Sequence, residues 1–170
     1  MPADSPLLKL AASGATIVTR TARLARVLSR RLALQNANIG ISVAESPDMQ
    51  TLGAWLRTQW ERLSPKETLL DPTVEKLLWE HLIEENGPGQ LYKIDGLAAQ
   101  AAEAWVRIHQ WASPPADKLY DTPETAAFRL WADNFAARLK SQGWRTSAEL
   151  CGLVCRAVED GSLNVAKNHI

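Results

Sequence analysis

The chain has 170 residues, 46% of them hydrophobic and 22% charged, with a formal net charge of zero. That length and apolar content suit one globular domain, or one and a half small ones, with ample material for a core. The neutral total rules out any argument from overall charge. No apolar run approaches the roughly 18 residues of a spanning helix, and the first residues lack the continuous apolar core of a secretory signal. A membrane-spanning or conventionally secreted protein is therefore not expected.

Residues 1–13 read as a loose leader. Ala15-Thr16-Ile17-Val18-Thr19 is short, β-branched and preceded by Gly14, which predicts a buried strand. A helix is expected over about 21–36, with Leu24, Val27, Leu28 and Leu32 inward at helical spacing. Ile39–Val43 is a second strand candidate, closed by Ser46-Pro47. Strand, helix and strand in that order imply a parallel pair joined by a crossover helix. An Arg-rich, acid-poor start also has the composition of a mitochondrial transit peptide, but the strand-like run at 15–19 sets that reading aside.

From there the chain reads as helical. Leu52, Trp55, Leu56, Trp60 and Leu63 place an amphipathic helix over about 48–63. Ser64-Pro65-Lys66-Glu67 has the form of a capping box, and Asp71-Pro72 offers a second helix start leading into Val74, Leu77, Leu78 and Leu82. Asn86-Gly87-Pro88-Gly89 stops that helix. Leu97, Ala101, Trp105, Ile108 and Trp111 define the next, ended by Ser113-Pro114-Pro115. Thr122-Pro123-Glu124 starts another, with Ala127, Trp131, Phe135 and Leu139 inward and Gly143 at its end. Thr146-Ser147-Ala148-Glu149 is a further capping box, opening a last helix with Leu150, Leu153, Val154 and Ala157 on one side and Gly161 after it. No internal repeat or low-complexity tract is present. The resulting fold class is mainly α with a small α/β part, the latter an unfinished strand–helix–strand unit followed by a helical subdomain of about four helices. Two strands do not make a stable parallel sheet, so the missing strands are expected beyond Ile170.

A strand–helix opening is where a nucleotide-binding protein keeps its phosphate loop. That loop needs Gly-x-x-x-x-Gly-Lys-Ser/Thr, whose glycines let backbone N–H groups close around phosphates. No glycine in this chain precedes a lysine, residues 15–36 hold no glycine, and no Gly-x-Gly-x-x-Gly occurs. No nucleotide site and no cofactor is expected. His81, His109 and His169 lie on separate elements without carboxylates at ligand spacing, so they read as packing or surface residues. Cys151 and Cys155, the only cysteines, share one helical face and are expected as small apolar core residues in a reducing compartment. As half of a zinc site they lack evident further ligands. Glu84-Glu85 and Glu159-Asp160 read as solvated helix ends. No catalytic or metal-binding residue is assigned. The tryptophans Trp55, Trp60, Trp79, Trp105, Trp111 and Trp131 fall on or beside apolar stripes and are expected to pack, leaving Trp144 as the exposed one.

Charge is distributed unevenly. Between Asp4 and Glu45 there is no acidic residue, while Lys9, Arg20, Arg23, Arg26, Arg30 and Arg31 all fall there. Residues 1–44 thus hold six basic and one acidic side chain, a formal +5, against 13 basic and 18 acidic in the rest, a formal −5. Arg23, Arg26 and Arg30 line one stripe of the first long helix, with Thr19 and Thr21 near its N-terminus. Guanidinium groups and a helix N-terminus both suit backbone phosphates, so Thr19, Arg20, Arg23, Arg26, Arg30 and Arg31 are the candidate DNA contacts. A solvated face, or ion pairing with the acidic remainder, is the competing reading.

The order of these segments resembles the N-terminal part of bacterial "probable DNA repair proteins", large proteins with a helicase-like front and a C-terminal PD-(D/E)XK nuclease of the RecB type. They are similar to the B subunit of the AddAB helicase–nuclease. The likeness rests on Thr16-Ile-Val-Thr-Arg-Thr-Ala-Arg-Leu-Ala-Arg-Val-Leu28 and Leu52-Gly-Ala-Trp-Leu-Arg-Thr-Gln-Trp60. It continues with Leu77-Leu-Trp-Glu-His-Leu-Ile83, Ala98-Ala-Gln-Ala-Ala-Glu-Ala-Trp105 and Phe128-Arg-Leu-Trp-Ala-Asp-Asn-Phe135. The resemblance implies a partial helicase-like α/β segment over 1–65 that has lost its ATP site. A helical subdomain over 66–162 and a tail over 163–170, leading to a downstream part, would follow. It implies a bacterial cytoplasmic, non-catalytic segment of a repair or recombination nuclease. Its partners would be DNA, the remainder of the same polypeptide with its nuclease domain, and a helicase partner subunit. A helical protein–protein interaction module with no nucleic-acid role is the alternative.

Overall fold

The first long helix buries only part of the stripe that its spacing suggests. α2 (Ala22–Asn38) buries Ala25 and Leu32, whereas Leu24 and Val27, expected inward from the spacing, are exposed. The computed structural model describes residues 6–38, 48–63, 65–86, 93–111 and 122–164. It divides into two compact units, Met1–Arg62 with Val158–Ile170, and Leu63–Ala157. Among the described residues the protein is mainly helical, with two small parallel two-stranded sheets.

In the first unit, β1 (Ile17–Thr19) pairs in parallel with β2 (Met49–Thr51), Ile17 opposite Met49 and Thr19 opposite Thr51. The Ile17 N–H donates to the Asp48 carbonyl at 2.7 Å. The expected partner strand, Ile39–Val43, lies outside the described residues, and the observed one occupies positions assigned by periodicity to the next helix. That helix, α3 (Leu52–Arg62), consequently begins at Leu52, where Thr51 Oγ1 accepts from the Ala54 N–H at 3.2 Å. The leader is not loose either: α1 (Pro6–Ala12) is helical and places Ala11 against Leu32, Ile17 and Met49 in a small core. Leu32 is the residue of α2 that packs in this core, and Ala25 is buried on the same side of the helix.

The second unit is built on α4 (Pro72–Asn86), α5 (Ile94–Trp111) and α6 (Pro123–Gln142). The Ser64–Glu67 start is not used. The chain instead forms β3 (Thr68–Leu69), and α4 begins at the second expected start, where Asp71 Oδ1 accepts from the Thr73 N–H at 2.8 Å. On α4 the inward residues are Trp79, Leu82 and Ile83, while Val74 and Leu77 face solvent. α6 keeps its predicted ends: Thr122 accepts from the Thr125 N–H, and Gly143 adopts a left-handed φ of 65°. That conformation, which glycine adopts without steric cost, turns the chain directly into β4 (Trp144–Arg145). β4 pairs in parallel with β3, Thr68 opposite Trp144.

The core of this unit is aromatic. Trp79 and Phe135 are completely buried and stack at 3.9 Å between centroids, 12° apart in plane. Trp105 meets both edge-on, at 6.1 Å from Trp79 and 5.2 Å from Phe135. Among the described residues Trp79 Nε1 and Trp131 Nε1 have no hydrogen-bond partner, so packing alone holds those indoles. Trp105 Nε1 does donate, to Thr146 Oγ1 at 3.1 Å. Trp111 reverses expectation at 79% exposure, and Trp144 is half-buried against the core. At the predicted capping box the Glu149 carboxylate reaches back to the Thr146 N–H at 2.8 Å. It opens a single 3₁₀ turn (Ser147–Glu149) that leads into α7 (Leu150–Glu159).

Arg145 joins the two ends of the unit, donating to Glu149 at 3.0 Å and to Glu67 at 3.2 Å. Its own backbone hydrogen bond, then Arg145, lowers the Glu67 carboxyl below its ordinary value. Glu75, by contrast, is raised, first by burial and then by the charge of Glu149. A raised carboxyl penalises the fold once it ionises, so this cost enters as pH climbs past the ordinary carboxylate value. Glu75→Gln is therefore expected to raise Tm at pH 8 and leave it nearly unchanged at pH 4, measured by thermal unfolding at both. Phe135→Ala should cost about 3–5 kcal/mol in urea unfolding, whereas Leu77→Ala, on the solvent side, should stay within about 0.5 kcal/mol.

Candidate nucleic-acid interface

Arg23, Arg26 and Arg30 recur at positions i, i+3 and i+7 of α2, within an arc of about 60° at 100° per residue. Ala25 and Leu32 bury the opposite side of the same helix. All three arginines are exposed, as are Arg20 in the bend after β1 and Arg31 on the flank of the stripe. The three stripe positions span about 10 Å along the axis at 1.5 Å per residue. Arg26 Nε donates weakly to the Ala22 carbonyl at 3.4 Å. No ion pair to Arg20, Arg23, Arg26, Arg30 or Arg31 occurs among the described residues.

The two threonines do not join them. Thr19 is 6% exposed, and its hydroxyl faces the Thr21 carbonyl at 3.0 Å and the Gln50 carbonyl at 3.2 Å. It bridges β1, the bend and β2, and so leaves the set of candidate phosphate contacts. Thr21 caps α2, its Oγ1 accepting from the Leu24 N–H at 3.2 Å. The helix start is thus served by its own chain instead of standing open to an anion. The exposed face of α2 also carries two residues expected in the core, Leu24 at 45% and Val27 at 54% exposure, together with Leu34 at 58%. The signal was present in the alternative stripe Ala25, Ser29, Leu32 and Asn36, which has the right period but fewer large side chains.

Elsewhere the chemistry-bearing residues stay apart. His81 pairs with Glu85 on the surface at 3.1 Å, and His109 lies over Trp105 with Nδ1 2.9 Å from that residue's carbonyl. Among the described residues no group of three or more His, Cys, Asp or Glu side chains could hold a metal ion. An open groove of ≈ 410 Å³ between α4 and α6 is crossed by Glu85 and Arg138, 3.9 Å apart, and its lining includes no histidine or cysteine. Cys151 and Cys155 are exposed free thiols, not core residues; Leu150, Val154 and Ala157 take the buried side of α7 instead. No described helix is long and apolar enough to cross a membrane.

No protein-family model, curated protein or solved structure matches this chain. If Thr19 is a structural bridge, Thr19→Val should cost about 1 kcal/mol of stability, the order of a lost hydrogen bond. Binding of a polyanion at the exposed arginines should be unaltered, as followed by heparin-column elution.

Proposed function

We propose that this chain is a non-catalytic, helicase-like segment of a DNA-repair or recombination nuclease, lacking an ATP site and contributing a contact to the DNA backbone. The observation that carries the reading is the arginine stripe of α2. Arg23, Arg26 and Arg30 stand on the solvent side, with Arg20 and Arg31 beside them and no described carboxylate in pairing distance. Guanidinium groups so placed exchange bound counterions for phosphates, which gives affinity without sequence choice. The parallel β1–β2 pair with α2 between its strands in sequence supports the helicase-like part. The glycine-free turn from Thr19 to Thr21 supports the loss of the phosphate loop. The rest of the polypeptide, with its nuclease domain, and a helicase subunit are the partners this reading calls for.

One observation favours the alternative, a helical interaction module: Leu24, Val27 and Leu34 are exposed among the arginines, as at a protein contact. Labelled single-stranded DNA titrated at several salt concentrations separates the two. For single strands the slope of log K against log salt is about −0.7 per phosphate neutralised. A chain carrying R23Q, R26Q and R30Q together should therefore bind more weakly, with a slope flatter by about 2. Arg107→Gln, removing an arginine already paired with Glu103, should change neither. An unaltered slope in the triple variant, or no binding at low salt, ends the DNA-contact reading and leaves the interaction module.

A further inference from the structure

α7 carries two thiols one turn apart. Cys151 and Cys155 are both exposed and unoxidised, on the flank of the helix away from Leu150, Val154 and Ala157. Gly152 next to them is exposed too, with nothing within 4 Å of where its side chain would start, so the thiols stand on open surface. We propose that Cys151 and Cys155 form a two-thiolate site for a soft monovalent metal ion of the Cu(I) type.

Helix geometry decides between the fates open to such a pair. Side chains four apart on a helix have Cβ atoms about 5–6 Å apart, whereas a disulfide needs about 3.5–4.5 Å. The pair cannot close on itself while α7 stays helical. A bridging ion relaxes that requirement. Two metal–thiolate bonds of about 2.3 Å in line hold the sulfurs roughly 4.6 Å apart, within the reach of the helical spacing. Coordination number then selects the ion. Zinc in a structural site takes four protein ligands and iron–sulfur clusters take four cysteines, but the described residues offer no group of three. A soft d¹⁰ monovalent ion is complete with two thiolates, and thiolates select it.

The step balances simply. Each thiol gives its proton to solvent, two S–Cu bonds form as the ion leaves its previous ligands, and copper stays monovalent. Binding requires both thiols deprotonated, so the ion itself displaces the two protons.

The test is an anaerobic titration of the whole chain with Cu(I) buffered by bicinchoninate. The expected result is one ion per monomer, a near-ultraviolet thiolate-to-copper band saturating at one equivalent, and protection of both thiols from Ellman's reagent. Cys151→Ser and Cys155→Ser should each weaken binding by about 10²–10⁴, the loss of an intramolecular second ligand, with the helical circular dichroism unchanged. Three results overturn the site: serine variants that hold copper like the parent, half an equivalent bound with dimerisation, or no competition with the chelator. Thiol counting on the unaltered chain decides the matter even if a variant folds poorly.

Discussion

The second unit depends on a closure made by very little backbone. β3 and β4 contribute two residues each, Thr68–Leu69 and Trp144–Arg145, yet three helices are strung between them. Bringing such distant positions together costs loop-closure entropy before any contact repays it, and so short a ladder cannot offset it alone. The repayment comes from side chains at the same place. Arg145 spans from Glu67 to Glu149, and the completely buried Thr146 hydroxyl accepts a hydrogen bond from the Trp105 indole N–H while donating one to Glu149. Trp105 in turn packs edge-on against the Trp79–Phe135 stack. Each link needs its neighbour. Without Thr146 the indole N–H would be buried unpaired, and without Arg145 the carboxylate of Glu149 would stand beside Glu75 with no cation to answer it. Arg145 reaches the two carboxylates through its terminal nitrogens, and its Nε is buried without a described partner.

Much of this unit was legible because its signals are local. Thr122 and Gly143 bound α6, and Trp131, Phe135 and Leu139 face inward as their spacing requires. Glu149 does cap toward Thr146. What was not legible is what tertiary contact overrides. The Ser64–Glu67 segment has the residues of a helix start, but Glu67 is worth more as a partner for Arg145, and that pairing is invisible to a window of a few residues. On α4 and α2 the sequence offers two apolar stripes each. Periodicity chose Leu82 and Leu32, which are buried, but also Val74 and Leu77, and Leu24 and Val27, which are exposed; volume decided the difference on α4, where Trp79 fills a core that Val74 could not. Cys151 and Cys155 are exposed although their type favours the core, since α7 already has Leu150, Val154 and Ala157 for its buried side.

The arginines of this chain are of two kinds. Arg145 is only partly exposed and answers two carboxylates; its role is used up inside the fold. The arginines of α2 have the same group with none of these ties among the described residues. A guanidinium in water needs no partner, so exposure by itself selects nothing. What selects is concentration. Between Asp4 and Glu45 every ionised side chain is basic, and the fold turns Arg23, Arg26 and Arg30 to one side while burying the other. Like charges at helical neighbour positions repel by a few tenths of a kcal/mol per pair, a cost that a purely solvated face would avoid by mixing in acids, as α4 does with Lys76 and Glu80. The proposed DNA contact rests on that retained repulsion, because a polyphosphate backbone would neutralise several such groups at once. Leu24, Val27 and Leu34 on the same face are what the competing reading, a protein contact, would use.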